Sequence, residues 1–515
     1  MRKIITTVFM LAAVTIVNAK QKVTINISAT PLQTITGFGA ACCFGAMEPF
    51  AKDTNPVKLL YGDESAIGLN IMRMEISPNF VGDVVVPEWG NWDTPYDWNG
   101  SLPSAKIVKE RGGIVFGTPW SPPGEYKTNG TAQGGNADDQ GNQEGRLRLD
   151  CYDKFFPWLN TFLQWMHDHG VDVDAVSIQN EPDWWVSYSG CLYTPDEQLN
   201  LVKNYAHMLD RTTYNGVRLI SAEPLGFDPS YSNKLLNDPT AREQIDIIAG
   251  HIYGHPPLNN LKSAASLAKM YGKEVWMTEH SVSDNIGDRL PTWQEQLEFA
   301  EEVNECLQAG CTGYIYWYLR AHWAFCGTGE SQYGADNKKD ELLPRAFVMS
   351  HFSKHVTGST RLATSLDDDA SYRRADEGQL AKYEFTAYEK GDSIIVMAIN
   401  ATESTRDLKI SLPKVVKSGE LLLSTGNESD KLCQKSVLDI AEPTDEFLVE
   451  MPALSLSTYI YMIDKGGAAI ENVKQTANDG PKTYYDLQGR RLDNPQGLCI
   501  ERSADGSSRK VLMGR

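Results

Sequence analysis

From Gly37 to about Arg345 the chain alternates between two hydrophobic patterns. Short apolar runs of the buried-strand kind are followed by longer stretches whose apolar residues recur every three or four positions, as on the inner face of a helix. Eight runs read as strands: ITGFGAACC, GLNIMRMEIS, GGIVFGTPW, VDAVSIQNE, VRLISAEP, IDIIAGHIYG, EVWMTEH and GYIYWYLR. Helical spacing is clearest over Tyr152–His169, Pro195–Tyr214 and Trp293–Ala309. Eight strand–helix units over about 300 residues predict a (β/α)8 TIM barrel. A doubly wound sheet fits less well, because GFGAACC provides no glycine-rich phosphate loop at the first strand. Long insertions rich in Gly, Asn and Asp follow two strands, at Asn79–Ser101 and Ser121–Arg148. Loops of that length in a compact domain usually carry function, and Trp89, Trp92, Trp98 and Tyr126 are their candidates to wall a groove.

After His351 the period shortens to two. LAKYEFTAYE, DSIIVMAIN, DLKISLP, GELLLST and LSLSTYIYMI alternate apolar and polar residues between turn signals. They predict an associated antiparallel β-sandwich over 351–464, beside a catalytic barrel over 37–350. The strand-like segment within 20–36 is expected to join that sandwich and so bring the two chain ends together. A Gly-, Asn- and Lys-rich linker at 465–482 leads to a small C-terminal β-module over 483–515, a candidate sorting signal because it resembles C-terminal segments of exported Bacteroidetes proteins.

Composition narrows the class. At 515 residues the chain is too long for one compact core. A net charge of −19 argues against nucleic acid or an anionic membrane as main partner. Residues 1–19 read as a signal peptide: Arg2 and Lys3, an apolar run from Ile4 to Val17, and small-residue cleavage at Val17-Asn18-Ala19. That run is too short to span a bilayer, and no later one approaches 18 residues. The expectation is an exported monomer, periplasmic, cell-surface or secreted. Nine cysteines is an odd number, so at least one thiol is left over even where export permits disulfides. Cys306 and Cys311 are close in sequence; Cys151, Cys191 and Cys326 fall in loops at one end of the predicted barrel. No CxxC pair suggests zinc, and no cofactor is called for.

The chemistry concentrates at two strand ends. Glu181 closes VDAVSIQNE and Glu279 closes EVWMTE, 98 positions apart (279 minus 181), room for about three further strand–helix units. The C-terminal tips of barrel strands are where barrel enzymes keep their reacting groups. Two carboxyls facing each other across such a mouth suit glycosidic cleavage, one donating a proton and the other attacking or activating water. A lone Glu would more often be ordinary surface; the pairing reverses those odds. The HDH of residues 167–169, at a helix end, reads as solvated surface.

These segments resemble glycoside hydrolase family 30, in particular its xylanase-like branch. GFGAA, IMRMEIS, GTPWSPP, SIQNEPDWW, HIYG, WMTEH, YIYWYLR and AFVMSHFSKHVTG occur in order and at similar spacing, and the resemblance continues to ALSLSTYIY, covering Gln33 to about Asp464. It implies a retaining double displacement on β-1,4-xylan, by internal or chain-end cleavage, with Glu181 as acid/base and Glu279 as nucleophile. In that scheme Arg73 and Tyr253 hold Glu279, Asn180 bonds the sugar 2-hydroxyl, and His251 orients its neighbours. The charge on Glu279 is expected to raise the Glu181 pKa. Trp120, Trp317 and Tyr253 match aromatic positions around the reacting sugar, and Trp184 and Trp185 would line the leaving-group side. One departure stands out: Arg320 is followed by Ala321, where members that require glucuronate branches carry a second arginine, and HIYGHPPLNN replaces an aromatic segment. A fixed bidentate guanidinium is what a uronate needs, so glucuronate dependence is not expected. Lys127 is the basic residue of an insertion that could substitute. The alternatives are another β-glycosidase of the family (β-glucosidase, β-1,6-glucanase or β-fucosidase type) and a non-catalytic glycan-binding protein. A metal-dependent hydrolase using His251, His255 and His280 would want an HxH after the first strand, which is missing.

Overall fold

The protein is described from a computed structural model, over residues 22–44, 53–78, 98–135, 144–214, 216–254, 257–281, 291–317, 319, 324–327, 338–367, 383–427, 433–465, 482–486, 489–502 and 508–513. The signal segment 1–19, Trp89, Trp92, His255, Arg320, Ala321 and most of the 465–482 linker lie outside these residues.

All eight barrel runs form strands. They are β2 (Gly37–Cys42), β3 (Ile71–Ile76), β4 (Ile114–Pro119), β5 (Ala175–Ser177), β6 (Arg218–Ile220), β7 (Ile247–His251), β8 (Glu274–Glu279) and β9 (Gly313–Tyr316), parallel and closed by β9 on β2. Ile71, Phe116, Ala175, Ile220, Ile247, Ala249, Trp276 and Ile315 meet inside the barrel as an apolar plug. Phe116 and Trp276 fill it edge to face, centroids 5.5 Å apart. Such tight closure needs a missing side chain: a Cβ on Gly39 would come 1.9 Å from the Ile71 carbonyl oxygen. Among the helices, Tyr152–Asp168 and Trp293–Ala309 match the apolar spacing, the second opened by a Thr292–Glu295 capping box. The helix expected over Pro195–Tyr214 stops at Tyr205 and tightens into a 3-10 turn at Ala206–Met208. Asp210 explains the stop, since its Oδ1 accepts from the Thr212 and Thr213 backbone N–H groups and competes with helical bonding.

The second sheet starts with β1 (Lys22–Thr34) and continues with β10 (Thr360–Asp367), β11 (Tyr383–Lys390), β12 (Ser393–Asn400), β13 (Arg406–Thr425), β14 (Gln434–Leu438), β15 (Thr444–Met451) and β16 (Ser455–Ile463). It is the expected largely antiparallel sheet, with one parallel pairing: β1 runs parallel to the first part of β13 while pairing antiparallel with β10. The long β13 makes this possible: Arg406–Ser411 bonds β1 and β15, and Gly419–Leu423 bonds β14. The helix before the sheet runs from Pro344 to Val356, past the expected boundary at 350, and belongs to both layers. Its buried His351 meets the Thr458 hydroxyl at 2.8 Å and the Ser424 hydroxyl at 3.0 Å. From the barrel side, Asn304 links to Glu384 and Thr386. The C-terminal residues form a separate unit, an antiparallel sheet ordered β18-β17-β19-β20, with β17 (Thr483–Tyr485), β18 (Arg491–Leu492), β19 (Gly497–Arg502) and β20 (Ser508–Met513). All nine cysteines are free thiols here, and only Cys433 is not fully buried. Among the described residues no helix is long and apolar enough to cross a membrane.

His351 gives the fold a testable acid weakness. Burial pushes its pKa down to about 3, so the folded protein keeps it neutral while the unfolded chain takes up a proton below about 6.5. Stability therefore falls as pH drops from about 6.5 towards 3. The contribution of this one site has a slope of at most ~1.4 kcal/mol per pH unit. Urea unfolding of wild type and His351→Gln across that range should show a shallower acid slope in the variant; parallel slopes would contradict this assignment.

Candidate active site

A charged layer rests directly on the apolar plug, and strand register assembles it. Arg73, two residues beyond Ile71 on β3, shares the inward face. The ladder between β5 and β6 resumes past Ser177, pairing Asn180 with Glu223 and joining Glu181 N–H to the Glu223 carbonyl at 2.9 Å. Between β7 and β8 the register slips by one residue, which sets His251 opposite Glu279. Gly250 permits it: a Cβ there would lie 2.7 Å from the Phe227 ring.

Arg73 is the hub. Its Nη1 donates to Glu279 Oε2, its Nη2 to Asn180 Oδ1 at 2.7 Å, and its Nε to the Thr118 hydroxyl at 3.3 Å. Nη2 also stands 3.1 Å from Glu223 Oε2, and the guanidinium carbon lies 4.6 Å from the Trp120 ring centre. Burial alone would weaken its hold on the proton; Glu223 and Glu279 outweigh that and strengthen it. Glu223 pays the same desolvation, yet Arg73 and His251 bring its carboxyl down to about 2. The Thr118 hydroxyl adds a 2.9 Å bond.

His251 joins the carboxylates. Its Nδ1 meets Glu181 Oε1 at 2.9 Å, while Nε2 lies 3.6 Å from Glu223 and 3.9 Å from Glu279. Burial disfavours its charge, but Glu279, Glu181 and Glu223 raise its pKa to about 9. For Glu279, burial pushes the carboxyl up against the pull of His251 and Arg73. The Tyr253 hydroxyl donates to its other oxygen at 3.1 Å. An oxygen of Glu181, an oxygen of Glu279 and a His251 nitrogen all lie within 4.8 Å of one another. Those three groups are near enough to share a cation, and the Arg73 guanidinium already bonds one of them. Glu181 is 8% exposed and Glu279 7%, so each offers only a narrow face to a ligand. Glu181 also carries φ +41°, a left-handed conformation that costs a non-glycine residue energy and clusters at functional sites.

Of the expected site residues, Arg73, Asn180, Glu181, His251, Tyr253 and Glu279 come together here. Trp120 and Trp317 pack 6.0 Å apart beside Arg73, with Phe44 4.8 Å from Trp120 and 6.2 Å from Trp317. Trp184 and Trp185 stand 53% and 47% exposed just past Glu181, so they do not pack in a core. Trp98 does not wall a groove. It is buried against Phe162 and Trp165, its indole N–H bonded to the Ser77 carbonyl. Tyr126 packs half-buried against the core instead. Lys127 is buried too, donating to the carbonyls of Ala132, Gln133 and Gly190. His167, Asp168 and His169 are exposed. The sequence reading passed over Glu223, Phe44 and Tyr188. Glu223 stood in plain view at the tip of VRLISAEP, the same signal that marked Glu181 and Glu279. Tyr188, whose hydroxyl is held in its neutral form by burial and by the charges of Glu181 and Glu279, follows Glu181 in the same loop.

A pair of close carboxyls at the C-terminal mouth of a parallel barrel, one gripped by arginine and tyrosine and the other by histidine, defines a retaining glycoside hydrolase. Known proteins place the chain further. Residues 151–327 match the glycosyl hydrolase catalytic core family. Glucuronoxylanase XynC of Bacillus subtilis is 24% identical over 453 residues, 87% of this chain and 93% of that protein. The X-ray structure of Xyn30A, a family 30 subfamily 8 xylanase from Clostridium acetobutylicum, superposes with a TM-score of 0.67 at 29% identity, covering 86% of this chain and 99% of that one. Lysosomal acid glucosylceramidase of Mus musculus is 26% identical over 382 residues, 64% of this chain and 70% of its own. The chain is a glycoside hydrolase that is similar, over most of its length, to the family 30 xylanases.

Glu223→Gln tests the residue missed from sequence. Without its charge, His251 loses one of the carboxylates that keep it protonated and Arg73 loses a partner. We expect kcat to fall about 10- to 100-fold, roughly 1.4–2.7 kcal/mol of barrel-mouth stabilisation. The alkaline limb of the kcat profile should move to lower pH, since His251 then deprotonates earlier. An unmoved profile would reduce Glu223 to a packing role.

Proposed function

We propose that the protein is an exported, monomeric retaining hydrolase of β-1,4-xylan, with Glu181 as acid/base and Glu279 as nucleophile. The carboxyl pair carries this reading. Its oxygens approach within 4.8 Å, near the ~5–5.5 Å spacing of retaining sites and well short of the ~6.5–9.5 Å that leaves room for a water in inverting ones. Glu279 attacks the anomeric carbon while Glu181 gives its proton to the glycosidic oxygen, so that bond breaks as the glycosyl–Glu279 bond forms. Water then enters, Glu181 takes its proton, and the Glu279 ester is released. Arg73 and Tyr253 steady the leaving carboxylate. His251, bonded to Glu181 on one oxygen, leaves the other free for the leaving group.

Xylan as substrate is supported by the names of the relatives, a glucuronoxylanase and a xylanase. A different β-glycoside is the second reading, favoured by the similarity to a glucosylceramidase. Trp184 and Trp185 offer stacking surfaces for the leaving-group side of a chain. Residues 1–19 support export. For glucuronate, the buried, carbonyl-bound ammonium of Lys127 removes the substitute clamp, and the proposal remains an enzyme that does not depend on that branch.

Glu279→Gln should lower turnover by several orders of magnitude while oligosaccharide binding persists; turnover within about tenfold of wild type would show the nucleophile misassigned. Glu181→Ala should lose most activity on xylan, little on aryl glycosides with good leaving groups, and recover with azide to give a product of retained configuration. Equal losses on both substrates with no azide adduct would refute the acid/base role. On matched oligosaccharides with and without the glucuronate branch, kcat/KM should agree within about tenfold, because a charge-assisted bidentate contact would be worth ~10- to 150-fold. A hundredfold preference for the branched substrate would overturn this specificity.

A further inference from the structure

A fourth carboxyl stands in the barrel mouth with no role in the chemistry above. Along β3, Ile71 belongs to the apolar plug, Arg73 to the charged layer, and Glu75 continues the same inward face about 7 Å further towards the mouth. It lies opposite Thr118 on β4. One side of the Glu75 carboxyl receives the Phe44 backbone N–H. The Phe44 ring is the one that packs on Trp120 and Trp317. Cys43, the residue after β2, lies within electrostatic range of both Glu75 and Glu279. Glu75 is only 5% exposed, and its Oε2 has no hydrogen-bond partner among the described residues.

An unmet polar atom of that depth costs stability unless something else satisfies it. We infer that Glu75 is a specificity-determining residue that hydrogen-bonds a hydroxyl of the sugar bound over Glu279, on the non-reducing side of the cleaved bond. The chemistry of the surroundings fits a neutral hydroxyl. Burial raises the carboxyl pKa to about 8, against the smaller opposing effects of the Phe44 N–H and Arg73. At neutral pH the group is then an acid that can donate and accept, as a sugar hydroxyl can. The neighbouring Phe44, Trp120 and Trp317 rings supply the apolar face for the ring carbons. This inference rests on the glycosidase site proposed above and adds a contact to it.

The test uses Glu279→Gln, which binds without cleaving, and calorimetric titration with a linear xylo-oligosaccharide. Adding Glu75→Leu removes the hydrogen-bonding group at similar volume; adding Glu75→Gln keeps donor and acceptor. The Leu double variant should bind about tenfold or more weakly and the Gln double variant within about threefold. Unchanged affinity in the Leu variant overturns the inference. So does a loss of affinity that accompanies a lowered melting temperature and is shared by Gln, which would make Glu75 a structural acceptor for Phe44. If Glu279→Gln ignores xylo-oligosaccharides but binds a gluco-oligosaccharide, the sugar proposed above is wrong. The ratio of the variants on the bound glycan still decides Glu75.

Discussion

The buried Arg73 guanidinium is the interaction on which the site depends. It lies above an apolar plug, where an isolated charge would be prohibitively costly, and five groups compensate it: Glu279, Glu223, Asn180, Thr118 and the face of Trp120. Each is thereby oriented. Removing one partner of such a buried network typically costs about 3–5 kcal/mol, because the remaining charge is left without compensation. The network is therefore better understood as a device for geometry than as a source of stability.

The same layer divides labour between two carboxyls. Glu279 receives the guanidinium and a tyrosine hydroxyl, the bonds an anion needs. Glu181 receives the imidazole alone of these and stands on a backbone turn with positive φ, fixed through the Glu223 carbonyl. Glu223 thus works twice, its carboxylate on Arg73 and His251 and its backbone on Glu181. A strained residue persists only where its surroundings over-determine it, and here the ladder to β6 does so.

Outside the mouth, the sandwich is joined to the barrel through polar groups as well as apolar packing. His351, Asn304 and Glu384 are buried at that join and are bonded across it. Such contacts fix relative placement, since a small shift would leave desolvated polar atoms unpaired.

Much of this was legible in the chain. Each barrel strand is a local apolar run and each helix a local period, so the eight-fold alternation and the strand-tip positions of Glu181 and Glu279 follow from sequence alone. The helix overrun at Pro195–Tyr214 failed locally too, because Asp210 offered the backbone a competing turn. What the sequence could not hold is whatever depends on register between distant segments. The slip between β7 and β8 that turns His251 towards Glu279, the parallel pairing of β1 with β13, the burial of Trp98 and Lys127, and the meeting of Phe44 with Trp120 and Trp317 join residues far apart in the chain. Period and composition describe one segment at a time. Which side chains finally share a desolvated space is decided by closure of the barrel, and only the tertiary structure carries that.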